Sequence, residues 1–430
     1  MAIPALAQIA QITVYADRQI ERTPILQGFL TGIGHRKEDQ FDTQKILALK
    51  PQSWRIPDWV YYDKISPYKP KITFILGEQY ANLKGGWNKA RPWENWTEWE
   101  TFVKQAVEFS KNNNKPVDFW DVWGEPDLGG GTPWEGSYSD FLELFARTIT
   151  TIHSVDPAAK VVGPSVSEFN PRFNDGSRVI AGLDTFLSDL DQRHHVRPDA
   201  VSWHELGSLP EDVPAHAQAF RAFLATAMPE YHPAFHINEF TSEPEHLIPG
   251  WTVGWLYYLE QAKIDSANRA CWSVQVPRRK PWSDCWAGLN GLFLKDNKTP
   301  QMNYWVHLAY GQMGATRLVS EASDPRVVAI ASKDEATGEI MLLVGRFDSR
   351  TKVKGSLKDV RVNIKKYPYK VASVQVEVQR IASDRFGVGV PGKPEIISGI
   401  VPIKEGSIFL DQKGFQDGDV YVIRIKKPQN

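Results

Sequence analysis

The sequence predicts a (β/α)8 TIM barrel followed by an antiparallel β-sandwich domain. Three observations lead to this fold class. Strand-like and helix-like segments alternate from about residue 22 to residue 312, a pattern that predicts parallel strands joined by helices. From about Thr316 the chain changes to short β runs separated by turn residues, as in a sandwich. The length of 430 residues fits a barrel of about 250 residues plus a smaller domain.

Local signals place the individual barrel elements. Pro70 and Gly77 bound the third strand, and three asparagines at 112–114 end the next helix, because asparagine tolerates the left-handed conformation. The helix at 138–155 has an apolar stripe at helical spacing. The predicted barrel strands are 27–34, 53–57, 71–76, 117–123, 160–164, 200–206, 234–240 and 269–274. The predicted helices are 39–49, 99–111, 138–155, 183–190, 215–227, 251–262 and 300–311.

The C-terminal part of the sequence has a different character. Its apolar runs are short and rich in β-branched residues, and no long helical pattern fits between them. The predicted strands there are 327–332, 340–344, 359–364, 371–378, 406–410 and 419–425.

The composition is that of a globular protein without a strongly charged partner. Fifty basic and fifty-one acidic residues give a net charge of −1, which argues against nucleic acid or an anionic membrane as the main partner. No run approaches 18 apolar residues, so we expect no transmembrane helix. Cys271 and Cys285 are the two cysteines; they exclude a cysteine metal cluster and leave a disulfide or two free thiols open.

The N-terminus resembles the end of a secretory signal. Residues 5–7 read Ala-Leu-Ala, which is an A-x-A cleavage site, although the charged and apolar regions that precede such a site are missing. We therefore expect an exported protein, secreted or periplasmic.

Two glutamates stand where predicted strands end. Glu125 follows the aromatic run 118–123 and precedes Pro126, which cannot donate to a sheet ladder and so ends the strand. Glu239 lies in the run 235–240, before a loop-like Thr-Ser-Glu-Pro. A single strand-end glutamate is usually a solvated or salt-bridged loop residue. Two in aromatic settings are the pair that glycosidic cleavage needs, one to protonate the leaving oxygen and one to attack the anomeric carbon.

The sequence around these glutamates resembles the retaining glycoside hydrolases of clan A. Trp-Gly-Glu-Pro at 123–126 is similar to the Trp-Asn-Glu-Pro acid/base motif of that clan, and Ile-Asn-Glu-Phe at 237–240 is similar to its nucleophile strand. The likeness is strongest for family 39, which holds β-xylosidases and α-L-iduronidases, with families 30, 51 and 79 as relatives. It implies that Glu125 is the general acid/base on strand four and Glu239 the nucleophile on strand seven.

The resemblance also implies a domain arrangement. It covers roughly residues 22–312, which we expect to form the catalytic barrel. Residues 1–21 plus 313–430 are expected to form the β-sandwich accessory domain, with the strand-like segment at 10–21 joining it, as in the resembling enzymes.

One residue departs from the pattern of the clan. The asparagine that precedes the acid/base there and binds the sugar 2-hydroxyl is Gly124 here. Contacts to that hydroxyl strengthen in the transition state and are worth several kcal/mol. Either another side chain replaces the asparagine, or the sugar carries a substituent or linkage at C2 that needs the room.

Further site residues follow from the resemblance, because chemistry in such a barrel lies at the carboxyl ends of its strands. Arg55 ends strand two, where the clan keeps an arginine against the nucleophile. His204 ends strand six near the nucleophile region, and His35 ends strand one, where it could bind sugar hydroxyls. Trp272 on strand eight is expected under the sugar, and we also assign Trp123 to substrate binding. Surface ion pairs and core histidines are the alternative interpretations.

Two other features have a functional and a structural interpretation. Asn238 should face away from its strand neighbour Glu239, which makes it a supporting residue more than a ligand. Arg278 and Arg279 belong to a cationic cluster in the loop after strand eight. A charge run is usually a solvated face, but this one could receive a uronate or another acidic group of the substrate.

Other chemistries lack their motifs. His194-His195 and His204-Glu205 have no metal-ligand spacing, and no G-x-S-x-G, phosphate loop or dinucleotide fingerprint occurs, so we expect no metal and no cofactor. We predict a retaining glycoside hydrolase acting on a poly- or oligosaccharide, with the pKa of Glu125 raised by its desolvated surroundings. A transglycosylase on the same scaffold and an inactive polysaccharide-binding protein are the rival hypotheses; the sugar, the linkage and the oligomeric state stay open.

Overall fold

The computed structural model describes most of the chain. The described residues are 9–20, 25–34, 40–128, 134–170, 172–175, 178–241, 245–270, 288–294, 296–348, 357–383 and 393–427. The predicted cleavage site at residues 5–7, Cys271 and Cys285 lie outside these ranges.

The secondary structure alternates in the first two thirds of the chain and is all β in the last third. The strands are β1 (Ala10–Ile20), β2 (Gly28–Leu30), β3 (Ser53–Ile56), β4 (Lys71–Ile75), β5 (Phe119–Asp121), β6 (Val161–Val166), β7 (Arg172–Asp175), β8 (Arg178–Ala181), β9 (Ala200–Glu205), β10 (Ala234–Phe240), β11 (Ser266–Arg269), β12 (Thr316–Ala322), β13 (Val327–Lys333), β14 (Ile340–Arg346), β15 (Lys358–Lys365), β16 (Ser373–Ile381), β17 (Glu395–Lys404), β18 (Ser407–Phe415) and β19 (Val420–Ile425). The helices are α1 (Thr43–Leu49), α2 (Trp59–Ile65), α3 (Leu76–Lys84), α4 (Trp96–Asn112), α5 (Tyr138–Val155), α6 (Leu183–His194), α7 (Val213–Ala227), α8 (Pro249–Gln261) and α9 (Met302–Gln312).

Eight parallel strands close into the predicted barrel. Hydrogen bonding runs in the order β2, β3, β4, β5, β6, β9, β10 and β11, and β11 pairs with β2 to close the ring. Strands such as β6 and β9 are buried along their whole length, as expected for strands covered on both faces. All eight strands run in the same direction, so their carboxyl ends meet at one mouth of the barrel. The (β/α)8 fold is therefore confirmed.

Helix ends follow the signals in the sequence. Ser137 and Asp140 form a capping box at the start of α5. Asp42 caps the start of α1, and Lys50, in the left-handed conformation, ends it one residue before Pro51. The helix α4 stops in the asparagine run, where Asn114 has a φ of 51°. These caps fix where each helix returns to the next barrel strand.

The eighth barrel strand lies earlier in the chain than predicted. The prediction of 269–274 followed the apolar residues after Arg269, whereas the strand is Ser266–Arg269. Its polar residues are buried because each has partners: Asn268 Nδ2 donates to Phe29 O at 3.0 Å and Arg269 Nε to Asn290 O at 3.0 Å. Satisfied polar groups can replace apolar ones in a core, and periodicity alone does not show this.

The last third of the chain, together with β1 from the beginning of the chain, forms the predicted β domain. Nine strands pair in the order β1, β12, β13, β14, β19, β16, β17, β18 and β15, and β15 pairs with β1 to close the ladder. Neighbouring strands are antiparallel except for β1 and β15, which are parallel. The sequence did not predict β12 and β17; the latter exposes nearly all its side chains and so lacks the alternation of a half-buried strand.

The helix α8 packs between the barrel and the β domain. Gly254 lies against the ring of Phe347, and a buried ion pair joins the two parts: Arg317 Nη2 on β12 lies 2.9 Å from Glu260 Oε1 on α8. Both side chains are nearly inaccessible to solvent. Such close packing fixes the orientation of the β domain against α8. Among the described helices, none combines the length and the apolar character needed to cross a bilayer.

Candidate active site

Four polar side chains converge at the carboxyl ends of barrel strands. Arg55 lies on β3, Asp121 ends β5, His204 lies on β9 and Glu239 on β10. Each is less than 10% exposed. Charged groups are rarely buried unless they are paired, so this cluster needs internal partners.

Glu125 reaches this cluster from the loop after β5. Its backbone has a φ of 47°, the left-handed region that residues with a side chain rarely adopt. The conformation is held by the Glu125 N–H, which donates to Ser165 O at 2.8 Å. Asp127 anchors the same loop by accepting two hydrogen bonds from Ser167, at 2.8 and 2.6 Å. A strained, anchored backbone gives the Glu125 side chain one defined direction.

The two carboxylates predicted to do the chemistry lie close together. A carboxylate oxygen of Glu125 and one of Glu239 are within 4.8 Å of each other. His204 Nδ1 lies between them, 3.0 Å from Glu125 Oε1 and 4.0 Å from Glu239 Oε2. Carboxyl groups about 5 to 5.5 Å apart are the spacing of retaining glycosidases, whereas inverting enzymes need about 6.5 to 9.5 Å to admit a water.

Arg55 pairs with two acids at once. Its Nη1 donates to Glu239 Oε1 at 2.8 Å and its Nε donates to Asp121 Oδ2 at 2.8 Å. Burial lowers the pKa of Arg55, but the negative charges of Asp121 and Glu239 outweigh the effect of burial. The pKa of Arg55 therefore lies above its ordinary value. The guanidinium therefore holds one face of Glu239 and leaves the other carboxylate oxygen toward His204.

A buried hydrogen-bond network supports this arrangement from inside the barrel. Asn238 Nδ2 donates to Asp121 Oδ2 at 3.1 Å and to Ser165 Oγ at 2.8 Å, and Ser165 Oγ donates to Asp121 Oδ1 at 2.8 Å. Asn238 is thus a supporting residue. It does not face away from Glu239 as simple alternation predicts, because the pairing register with β9 shifts between Ile237 and Glu239.

The pKa of Glu239 reflects its burial. Loss of solvent raises the pKa of Glu239, His204 and Arg55 lower it, and Glu125 raises it again; the pKa ends above its ordinary value. His204 and Arg55 therefore oppose the effect of burial and favour the ionised form of the Glu239 carboxyl.

The pKa of Glu125 differs from the prediction. Burial would raise the pKa of Glu125, but its hydrogen bond with His204 and the charges of His204 and Arg55 bring it below the ordinary value. For His204 the balance is reversed: burial lowers the pKa, while Glu239 and Glu125 raise it above the ordinary value. The predicted rise for Glu125 is wrong, because the sequence did not show that His204 contacts Glu125. The acids thus favour the protonated form of His204, and His204 favours the ionised form of Glu125.

Sequence patterns missed three polar residues here. Asp121 and Ser165 belong to the supporting network. The third residue is Glu78 on α3, whose pKa is lowered by the charge of Arg55 and raised by that of Glu239. A signal existed for Asp121, because an acid inside an aromatic strand run must be paired when it is buried. Ser165 and Glu78 carried none.

Trp123 packs within an aromatic cluster. Its ring is fully buried and contacts Trp87, Trp99 and Trp134 at centroid distances of 5.4, 5.9 and 5.3 Å. These are packing contacts that fix the loop carrying Glu125. Contact of Trp123 with a sugar stays a prediction.

Four predicted site residues lie outside the described part of the chain. They are His35, Trp272, Arg278 and Arg279. Their assignment to substrate binding, and the acidic-substrate hypothesis for the two arginines, remain predictions from the sequence.

The same cluster has side chains that metals use. Glu125, His204 and Glu239 each offer a ligand atom, and these atoms lie within 4.8 Å of one another. Two carboxylates and an imidazole could hold a divalent transition metal. However, the hydrogen bonds of His204 Nδ1 to Glu125 and of Glu239 to Arg55 already occupy these groups. The arrangement also suits acid–base and nucleophilic chemistry without a metal.

Comparisons with known proteins agree with the architecture. Neither protein-family models nor curated proteins gave a match to this chain. Among solved structures, N2152 from Neocallimastix frontalis has a TM-score of 0.77 and 20% identity, covering 98% of this chain and 100% of that one. A glucosidase from Croceicoccus marinus has a TM-score of 0.69 and 15% identity, covering 98% and 100%.

A third solved structure belongs to the family that the sequence resembles. The GH39 enzyme from Xanthomonas axonopodis pv. citri has a TM-score of 0.67 and 13% identity, and the match covers 99% of this chain and 100% of that one. At such identities the likeness concerns the fold. This chain therefore has the barrel-plus-β-domain architecture that is also seen in a solved glucosidase and a solved GH39 enzyme.

Proposed function

We propose that this protein is a retaining glycoside hydrolase that cleaves a glycosidic bond in a poly- or oligosaccharide by double displacement. The observation that carries the proposal is the approach of the Glu125 and Glu239 carboxylates to within 4.8 Å at the carboxyl end of the barrel. That spacing suits a nucleophile and an acid/base acting on one anomeric carbon. The shared fold with a glucosidase and a GH39 enzyme supports the same reaction class.

In the first step Glu239 is the nucleophile. A carboxylate oxygen of Glu239 attacks the anomeric carbon while the bond from that carbon to the leaving oxygen breaks. The leaving oxygen takes a proton from Glu125, which is hydrogen-bonded to His204 at 3.0 Å. We infer that the two residues share one proton, which His204 returns to Glu125 as the leaving oxygen gains charge. The lowered pKa of Glu125 and the raised pKa of His204 support this inference.

In the second step water releases the sugar. Glu125, now ionised, accepts a proton from the water that attacks the anomeric carbon, and the bond to Glu239 breaks. Glycosylation has by then neutralised Glu239, which removes one negative charge near His204. The configuration at the anomeric carbon is retained after two inversions.

Arg55 serves both steps by position and charge. Its hydrogen bond to Glu239 Oε1 leaves one carboxylate oxygen of Glu239 for the attack and stabilises the carboxylate when it departs. Asp121, Asn238 and Ser165 hold the guanidinium in place from within the barrel. A fixed cation costs no reorganisation during the reaction.

Paired variants test the proposal on 4-nitrophenyl glycosides. The wild-type protein is screened on 4-nitrophenyl β-D-xylopyranoside, β-D-glucopyranoside and related glycosides, together with a panel of plant and bacterial polysaccharides. Glu125→Gln should keep much of its first-step rate on the nitrophenyl glycoside, because nitrophenolate leaves without a proton. Glu239→Ala should lose at least about 10⁴-fold in kcat, as expected for loss of a nucleophile. Equal losses in both variants would mean that the roles are misassigned.

The same screen separates the rival functions. Transfer of the sugar to a second sugar at high acceptor concentration, with little free sugar released, would indicate a transglycosylase. Tight oligosaccharide binding without turnover would indicate a binding protein. Activity abolished by EDTA and restored by a divalent metal would assign Glu125, His204 and Glu239 to a metal centre and contradict the proposal.

A further inference from the structure

Glu78 is an acid near the proposed nucleophile with no role in the reaction described above. It lies in the first turn of α3, three residues after the end of β4, and so at the same mouth of the barrel as Glu239. The residue is half-buried. Among the described residues, none makes a hydrogen bond or an ion pair with its carboxyl group. A desolvated acid without such a partner is costly in a folded protein.

The charges around Glu78 place it beside the catalytic cluster. Burial raises its pKa to about 7; Arg55 opposes this rise, and Glu239, Asp58 and Asp121 add to it. In turn, Glu78 contributes to the raised pKa of Arg55. Glu78 thus shares the neighbourhood of Arg55 with Glu239 but, unlike Glu239, makes no ion pair with it.

The packing of the backbone next to Glu78 shows which part of the barrel mouth this residue lies near. A Cβ built on Gly77 would lie 3.2 Å from Trp123 Cα and 2.5 Å from the Trp123 ring, so the α3 backbone touches the loop that carries Glu125. A Cβ built on Gly124 would meet, among the described atoms, Arg55 Nη2 alone, at 3.4 Å. Gly124 therefore leaves an open space next to Arg55, and Glu78 follows Gly77, which packs on Trp123, the chain neighbour of Gly124.

We propose that Glu78 is a substrate-binding residue that accepts a hydrogen bond from a hydroxyl of the sugar bound between Glu125 and Glu239. The space beside Gly124 admits that part of the sugar ring, and the hydroxyl supplies Glu78 with a hydrogen-bond partner that no described residue provides. A neutral sugar fits this surrounding, because a carboxylate on the ring would face Glu78 and Glu239 together. The inference rests on the proposed glycosidase function.

An alternative role for Glu78 is electrostatic only. A negative charge near Glu239 raises the pKa of the nucleophile wherever the sugar hydroxyls lie. Such an effect would be the same for every substrate with the same leaving group. Hydrogen bonding to one hydroxyl, in contrast, depends on whether the substrate has that hydroxyl, and this difference decides the experiment.

The test combines variants of Glu78 with deoxy substrates. The 4-nitrophenyl glycoside that the wild-type protein hydrolyses best is compared with its 2-, 3- and 4-deoxy analogues. On the parent glycoside, Glu78→Ala should lower kcat/KM by about 10- to 150-fold, the range for a hydrogen bond to a charged group. Glu78→Gln, which keeps an acceptor oxygen, should lose about 2- to 10-fold. On the one deoxy analogue that lacks the bound hydroxyl, both variants should match the wild-type protein.

Controls distinguish the possible failures. Glu108→Ala, at a half-exposed position on α4, should leave all kinetic values unchanged, and thermal unfolding shows whether each variant is folded. Equal losses by Glu78→Ala on the parent and on all three deoxy analogues would overturn the inference and leave the glycosidase function intact. A wild-type protein without activity on any glycoside would overturn the proposed function, and this inference with it.

Discussion

Two buried histidines at opposite ends of the barrel differ in pKa because their neighbours differ in charge. His204 lies at the carboxyl end of β9 and His236 near the amino end of β10, and both are almost inaccessible to solvent. Burial lowers the pKa of each. At His204 the carboxylates of Glu239 and Glu125 reverse this effect and raise the pKa. At His236 the nearby Lys71 acts with burial, and the pKa falls to about 3.

The surroundings of the two rings explain the difference. His236 packs edge-on against Phe119 at a centroid distance of 4.6 Å, and its Nδ1 has no hydrogen-bond partner among the described residues. His204 contacts an acid at 3.0 Å. One end of the barrel thus lowers the pKa of a buried histidine, and the other end raises it. Both histidines are buried, so the neighbouring acids account for the difference in pKa between them.

The largest effect is expected at Arg55. Arg55→Met should lower the free energy of unfolding by about 3 to 5 kcal/mol, because it leaves the buried acids Asp121 and Glu239 without their cation. Since Arg55 lowers the pKa of Glu239, its loss should raise that pKa, so that the proposed nucleophile ionises at higher pH. The acid limb of the kcat/KM profile should move to higher pH. Urea unfolding and a pH–rate profile measure both effects.

Arg317 offers a matched control for that variant. It forms an equally buried ion pair, with Glu260, far along the chain at the junction with the β domain. Arg317→Met should lose a similar unfolding free energy and keep the pH profile of the wild-type protein. If both variants moved the acid limb, the shift would come from general destabilisation and the role of Arg55 would be refuted.

The next effect concerns His204. His204→Gln should reduce kcat/KM by about 10²-fold, the lower range for general acid–base catalysis, because Glu125 loses the imidazole that shares its proton. On the proposed mechanism, the basic limb of the wild-type protein should report loss of the proton shared by His204 and Glu125, and the acids raise the pKa of His204. In the variant that proton must sit on the Glu125 carboxyl, so the basic limb should move to lower pH. An unchanged limb would show that the imidazole does not hold the catalytic proton.

A smaller effect is expected at the opposite end of the barrel. The folded-state pKa of His236 is about 3, whereas an unfolded histidine titrates near 6.5. Between these values the unfolded chain binds more protons, so stability falls as pH falls. Through His236 alone, lowering the pH from 7.5 to 5 should reduce the free energy of unfolding by about 2 kcal/mol. His236→Asn should lose this dependence, as measured by urea unfolding at both values, without a change in the pH limits of activity.

The smallest effect is expected at Gly124. Gly124→Ala should change the free energy of unfolding by less than about 0.5 kcal/mol, since the added Cβ meets one described atom at 3.4 Å. Gly77→Ala, at the neighbouring contact, should cost about 1 to 3 kcal/mol because its Cβ would lie 2.5 Å from the Trp123 ring. Similar losses in the two variants would show that the space beside Arg55 is not open.

Much of the fold could be predicted from the sequence because its signals are local. Proline, glycine and asparagine at strand and helix ends, and apolar runs of the right length, gave seven of the eight barrel strands close to their observed positions. The eighth strand, Ser266–Arg269, escaped because its buried residues are polar and are satisfied by partners far away in the chain. Helices α2 and α3 and strands β7, β8, β12 and β17 were also missed.

Part of the candidate site could also be predicted from the sequence, again because its signals are local. Glu125 and Glu239 each stand beside a recognisable strand end, and the expected arginine against Glu239 is Arg55 at 2.8 Å. What the sequence could not show is which groups meet across strands. The contact of His204 with Glu125, which reverses the expected pKa of Glu125, depends on the spacing of β9 and the loop after β5. The register shift at Asn238 is likewise a property of the paired strands.

The most direct test of the account is to trap the glycosyl-enzyme. The wild-type protein is treated with the activated 2-deoxy-2-fluoro derivative of the glycoside that it hydrolyses, and the labelled peptide is identified by mass spectrometry. Double displacement predicts one label per chain, on Glu239, and none in Glu239→Ala. A label on another residue would contradict the account. So would turnover with inverted configuration, seen by proton NMR of the first product formed.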